Sequence, residues 1–65
     1  MDDALLAYDE GRADGVAGRR DADRAGHPRT GGDYRIGLAD GQVAAFEAEL
    51  LSAIRKALKL DDEAR

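Results

Sequence analysis

The sequence predicts an all-α fold, a small helix-loop-helix hairpin with a long second helix that is either continuous or bent or broken near Gly41. Three observations predict this class. Apolar residues recur every three or four positions from Val43 to Leu58, which is the helical period. Helix-breaking residues cluster between positions 19 and 32, and a glycine motif occurs twice. A chain of 65 residues leaves room for one thin-cored domain, divided here into a helix at about 3–18, a connector at about 19–32 and a helix at about 33–60.

The first helix is predicted to begin near Asp2 or Asp3. Either carboxylate can accept a hydrogen bond from a first-turn N–H group that has no partner inside the helix. The helix is expected to fade around Gly18.

The glycine motif is the strongest internal signal. Tyr8-x-x-Gly11-x-Ala13-Asp14-Gly15 recurs 26 residues later as Tyr34-x-x-Gly37-x-Ala39-Asp40-Gly41. Glycines four residues apart lie on one helix face and let a second backbone approach closely. The repeat therefore predicts two similar helices related by an approximate two-fold axis. Residues assigned to this packing are Tyr8, Gly11, Gly15, Gly18, Tyr34, Gly37 and Gly41.

The interpretation of this packing is an antiparallel pair. In that arrangement Tyr8 covers the region of Gly41, and Tyr34 covers Gly15 and Gly18. Both tyrosines then act as lids over grooves lined by glycine.

The connector contains Gly26, Pro28, Gly31 and Gly32, which are turn and breaker residues. It also holds His27, the one histidine, which is interpreted as a solvated loop residue because one imidazole without cysteine or a fixed carboxylate does not make a metal site.

The second helix is predicted to be capped by Asp33 and to outreach the first helix. At 1.5 Å per residue it is about 40 Å long against about 24 Å. A break at Gly41 is the alternative, giving three helices. The overhanging half exposes apolar surface that either folds back or binds something, such as a second copy of the chain. These self-association residues are Phe46, Leu50, Leu51, Ile54 and Leu58.

Charge is distributed unevenly within a net of −4. Positions 1–15 hold five acids against Arg12, and positions 16–32 hold four arginines against Asp21 and Asp23. A ridge of carboxylates can imitate nucleic-acid phosphates and dock on a basic surface. The candidate partner-binding residues are Asp2, Asp3, Asp9, Glu10, Asp14 and Asp40. The alternative basic contact is Arg19, Arg20, Arg24 and Arg29.

Catalysis is not expected from this sequence. Ser52 and Thr30 stand outside any nucleophile motif, and the glycines form no phosphate-binding loop. The repeated Asp14 and Asp40 lack the interior pocket that a general acid needs. We expect no enzyme activity, cofactor or metal. The absence of cysteine, of a long apolar run and of a basic leader favours a cytoplasmic protein without membrane contact.

The segment Gly11-x-x-x-Gly15-Val16-Ala17-Gly18-Arg19 resembles the ribosome modulation factor family of small bacterial proteins. The resemblance spans about residues 8–41 and extends to Pro28, near the connector proline of the family, and to Tyr34 with Gly37. It implies a helix-loop-helix fold and silencing of a ribosome by occupying a functional RNA surface. The chain differs from the family in its net negative charge and in carrying Leu38 where the family has tryptophan.

Three functions follow as hypotheses. The leading one is a small acidic inhibitor that binds the basic surface of a larger nucleic-acid-handling complex, as a nucleic-acid mimic of the anti-CRISPR type. The runner-up is a ribosome-associated dormancy factor that uses the connector arginines for RNA. The third is a small dimeric assembly module. Direct nucleic-acid binding is expected only through those arginines.

Overall fold

A computed structural model describes residues 2–59 and contains three helices in this range. They are α1 (Asp3–Ala17), α2 (Ala22–Ala25) and α3 (Gly31–Leu58). The short α1 packs on the long α3, and no strand occurs among the described residues. The predicted all-α class with a long second helix is confirmed.

Capping residues fix both ends of α1. The Asp2 carboxylate accepts a hydrogen bond from the Ala4 N–H at 3.0 Å. At the other end Gly18 adopts a left-handed conformation with φ 74°, and the Arg19 N–H bonds to the Asp14 carbonyl oxygen at 2.8 Å. A Cβ added at Gly18 would meet nothing within 4 Å. The prediction that Gly18 packs against the other helix is therefore wrong, because its role is to end α1 where the backbone favours glycine.

The connector contains the short helix α2, which the sequence did not predict. The Asp21 carboxylate accepts hydrogen bonds from the N–H groups of Asp23 and Arg24, at 3.0 and 3.2 Å, and so caps this single turn. Ala25 from the same turn is buried against the helix pair.

Helix α3 begins at Gly31, two residues before the predicted cap. Asp33 therefore lies inside the first turn, where its charge favours the positive end of the helix dipole, and the prediction that it caps the helix is wrong. Thr30 occupies the cap position without a side-chain bond. The helix continues unbroken through Gly41, so the three-helix alternative with a break at that residue is also wrong.

Helices α1 and α3 run in the same direction. Gly11 lies against Tyr34, and Gly15, one turn further along α1, lies against Leu38, one turn further along α3. An antiparallel pair would pair later residues of one helix with earlier residues of the other. The antiparallel interpretation is therefore wrong, and the 13 connector residues 18–30 return the chain to the starting end of α1. There the Arg29 guanidinium lies 3.7 Å from the Asp3 carboxylate.

Four glycines form the crossing. A Cβ added at Gly11 or Gly15 would come closer than 3.0 Å to the carbonyl oxygen of Tyr34 or Leu38. On α3, a Cβ at Gly37 or Gly41 would come equally close to the carbonyl oxygen of Tyr8 or Arg12. Tyr8 and Arg12 precede Tyr34 and Leu38 by 26 residues, which is the spacing of the repeat. The predicted approximate two-fold relation is present at these contacts. Each glycine Cα–H group faces a carbonyl oxygen, which is the geometry of weak Cα–H···O bonds between closely packed helices.

Little apolar volume is buried around this crossing. The buried hydrophobic residues are Ala7, Ala25, Tyr34 and Leu38, and Tyr34 alone has a fully buried side chain among residues 2–59. Close backbone contact, rather than a large core, is what joins the two helices.

Candidate interaction surfaces

Two tyrosine–aspartate hydrogen bonds tie α1 to α3. The Tyr8 hydroxyl donates to Asp40 at 2.6 Å, and the Tyr34 hydroxyl donates to Asp14 at 2.5 Å. The two tyrosines are 26 residues apart, and so are the two aspartates, so the two bonds occupy equivalent positions of the repeat. The hydrogen bond to the adjacent carboxylate is the largest cause that raises the pKa of each phenol above its ordinary value of 10.0, and desolvation raises it further.

Tyr34 makes a contact that Tyr8 does not. Its hydroxyl oxygen accepts a hydrogen bond from the Asp21 N–H at 2.9 Å. The same oxygen therefore joins α1, the connector and α3, whereas the Tyr8 hydroxyl joins α1 and α3 alone. This difference breaks the two-fold relation at the level of side chains.

The acidic ridge predicted to bind a partner is largely paired within the chain. Glu10 contacts Arg24, Asp14 lies 3.4 Å from Arg19, and Asp3 pairs with Arg29 as described above. These three arginines belong to the alternative basic contact. The connector thus lies along α1, and the two candidate surfaces neutralise each other over much of their length.

The remaining predicted charges differ in use. Asp40 accepts the Tyr8 hydrogen bond, and Asp2 caps α1. Asp9 and Arg20 are exposed, and neither forms an ion pair or side-chain hydrogen bond within residues 2–59. Among the candidate partner-binding acids and the alternative arginines, these two charges have no partner within the described residues.

Two connector contacts were missed at the sequence level. The Nδ1 atom of His27 accepts hydrogen bonds from the N–H groups of Arg29 and Thr30, at 3.1 and 3.2 Å. The Arg35 guanidinium donates to the Ala25 carbonyl oxygen. Both contacts satisfy backbone groups at the junction of α2 and α3. The sequence alone does not predict the His27 contact, because many residue types can occupy a loop position two residues before such an N–H group.

The apolar stripe of α3 is exposed. Leu50 and Ile54 show 49% and 43% of their surface, and Phe46 shows 64%. Val43, which belongs to the predicted stripe, is exposed as well, and Ile36 extends the stripe towards the start of the helix. The face that packs on α1 carries Tyr34, Gly37, Leu38 and Gly41, and at 100° per residue it points roughly away from the stripe. Leu51 and Leu58 are likewise exposed and widen the stripe on one side.

Residues 2–59 contain no group of three side chains suited to hold a metal ion. Within the same range, none of the helices combines the length and apolar character needed to cross a membrane. No protein-family profile, curated protein sequence or solved structure matches this chain. The resemblance to the ribosome modulation factor family therefore stays a prediction.

Proposed function

We propose that this chain is a non-catalytic assembly module that associates with itself through the outer face of α3. The observation that carries this proposal is the exposed apolar stripe on a helix that extends well past the end of α1. Contiguous apolar surface of this kind marks interaction sites in proteins that remain in solution.

The rest of the fold supports the same reading. The glycine crossing and the two tyrosine–aspartate bonds fix the first part of α3 to α1. The part of α3 from Phe46 onward is exposed throughout the described residues. A small domain with a thin core gains stability when such a helix pairs with another copy.

The acidic-inhibitor and ribosome-factor proposals stand behind this one. Three carboxylates of the acidic ridge pair with three of the four connector arginines, so a partner that needs either set has to compete with the internal pairs. Asp9 and Arg20 remain as their best-placed contacts. A pull-down from host lysate at low and high salt tests both proposals: retention of a nucleic-acid-processing complex through Asp9 supports the inhibitor, and retention of ribosomal RNA through Arg20 supports the ribosome factor.

Sedimentation of the purified chain over a concentration series tests self-association. We expect a dimer or larger species that dissociates on dilution and is abolished by Leu50→Glu. Leu5→Glu is the matched control, because Leu5 is 57% exposed on α1, away from the stripe. A wild-type chain that stays monomeric at all concentrations, or equal behaviour of the two variants, would contradict the proposal.

A further inference from the structure

We infer that two copies of the chain pair in an antiparallel manner along the second half of α3, with Leu50 of one copy against Ala53 of the other. This inference rests on the proposed function and specifies its partner, direction and register.

The stripe on α3 has the spacing of a coiled-coil seam. Exposed apolar residues alternate at intervals of three and four, and the seam consists of Ile36, Ala39, Val43, Phe46, Leu50, Ala53 and Ala57. This is the heptad pattern in which two helices interlock. Ile54 borders the seam.

Residue size selects one antiparallel register. When Leu50 faces Ala53 of the second copy, Phe46 faces Ala57 of that copy, and the two-fold axis repeats both contacts. Each large side chain then lies against an alanine, as interdigitating layers require. Shifting the pairing by one heptad, so that Leu50 faces Phe46, places two large side chains together and leaves Ala57 against Ala39.

Charge selects the same register. Glu49 and Lys56 lie on the same flank of the seam, and both are exposed. Antiparallel coiled coils bring equivalent flanks together, so Glu49 of one copy lies beside Lys56 of the other, twice in the dimer. The one-heptad shift would instead bring the two Glu49 side chains together, which is unfavourable. On the opposite flank Glu47 lies beside Ile54, where its methylene groups provide apolar contact.

The helix pair fits the rest of the molecule. The last glycine of α1, Gly15, lies against Leu38 and Gln42. The proposed overlap within the described residues covers 44–59, beyond that point. The two α1–connector bodies therefore lie at opposite ends of the paired helices.

Distances between spin labels in the purified full chain test the direction of pairing. Ser52→Cys and Lys59→Cys occupy the same heptad position, and the chain has no other cysteine. In the proposed register the two copies of position 52 lie almost level, whereas those of position 59 are offset by about 22 Å along the helices. Label pairs at position 59 should therefore be clearly further apart than those at position 52. A dimer with equal distances at both positions would overturn the antiparallel direction but leave self-association intact.

Charge reversal tests the register. Glu49→Lys or Lys56→Glu alone should weaken dimerisation roughly tenfold, and the double reversal should restore it, because each variant changes two symmetric pairs. These residues are seven apart in one helix, too far to couple within a single copy. Lys59→Glu is the control and should have little effect, since position 59 faces away from the seam. A dimer in which the double reversal fails to rescue would overturn the register, and absence of any dimer would overturn the proposed function itself.

Discussion

The buried phenol of Tyr34 donates a hydrogen bond to the carboxylate of Asp14, a residue of the other helix. Ionisation of this phenol would place a second negative charge beside the first. The folded chain therefore holds the proton more tightly than the unfolded chain, and the pKa of Tyr34 is raised. Because the raised pKa belongs to the folded state, this contribution to stability is fully present below the unfolded value near 10.0 and is lost as the pH rises through the folded pKa.

Tyrosinate absorbance measured against pH checks this relation. The chain has two tyrosines and no tryptophan, so the signal is unobscured. We expect the folded protein to titrate above 10.0 and the protein in denaturant to titrate near 10.0. Tyr8→Phe isolates the signal of Tyr34. A folded-state midpoint equal to that in denaturant would contradict the hydrogen bond to Asp14.

The two phenols should differ in their effect on stability. Tyr34→Phe leaves one oxygen of the Asp14 carboxylate and the Asp21 N–H without their partner, whereas Tyr8→Phe affects Asp40 alone. We expect the thermal midpoint to fall by roughly 5 °C for Tyr34→Phe and by less for Tyr8→Phe. Thermal unfolding followed by circular dichroism gives both values, and equal midpoints would argue against the connector contact.

The glycine crossing should tolerate no methyl group. Gly37→Ala directs a Cβ into the Tyr8 carbonyl oxygen, and the backbone cannot yield without separating the helices. We expect a loss of about 3 kcal/mol or more in the free energy of unfolding. Gly32→Ala, in the first turn of the same helix, meets only the end of the Arg35 side chain at 3.8 Å. That control should gain about 0.5–1 kcal/mol through helix propensity. Denaturant titration of both variants distinguishes crowding from propensity.

Substitution of Gly18 should lower stability through backbone conformation rather than crowding. Its φ of 74° disfavours any residue with a Cβ, although the surrounding space is open. Gly18→Ala should therefore destabilise the fold by about 1 kcal/mol. Gly18→Asn should lose less, because asparagine tolerates this conformation better than alanine. If alanine and asparagine were equivalent in chemical denaturation, the capping role would be in doubt.

Sequence patterns predicted α1 and α3, but the antiparallel direction inferred for them was wrong. The recurrence of Tyr8 to Gly15 at Tyr34 to Gly41 placed four glycines on two helix faces, and the structure uses all four. Glycines at i and i+4 suit parallel and antiparallel neighbours equally well, so direction had to come from elsewhere. It follows from the connector, whose Arg24 and Arg29 pair with Glu10 and Asp3 as the chain returns along α1.

Of the candidate surfaces, the sequence predicted the apolar stripe but not the charge pairing. Exposure of Phe46, Leu50 and Ile54 followed from a helix longer than its neighbour. The internal pairing of acids with arginines did not follow, because a sequence shows how many charges there are and not which of them meet. Gly18 illustrates a second limit, since the same residue type serves to pack helices at Gly15 and to terminate one three positions later.

The two-fold relation at the crossing also bears on ancestry. Each helix presents a tyrosine, an aspartate and a glycine pair to its neighbour and receives the same set in return. Such a reciprocal, same-direction pair is what tandem duplication and fusion of a gene for a self-pairing helix would produce. Joining two helices that run in the same direction requires a linker that spans the length of the first helix. Residues 18–30, which include α2, are that linker. The two halves differ beyond the repeated motif, because α1 ends at Ala17 whereas α3 continues to Leu58.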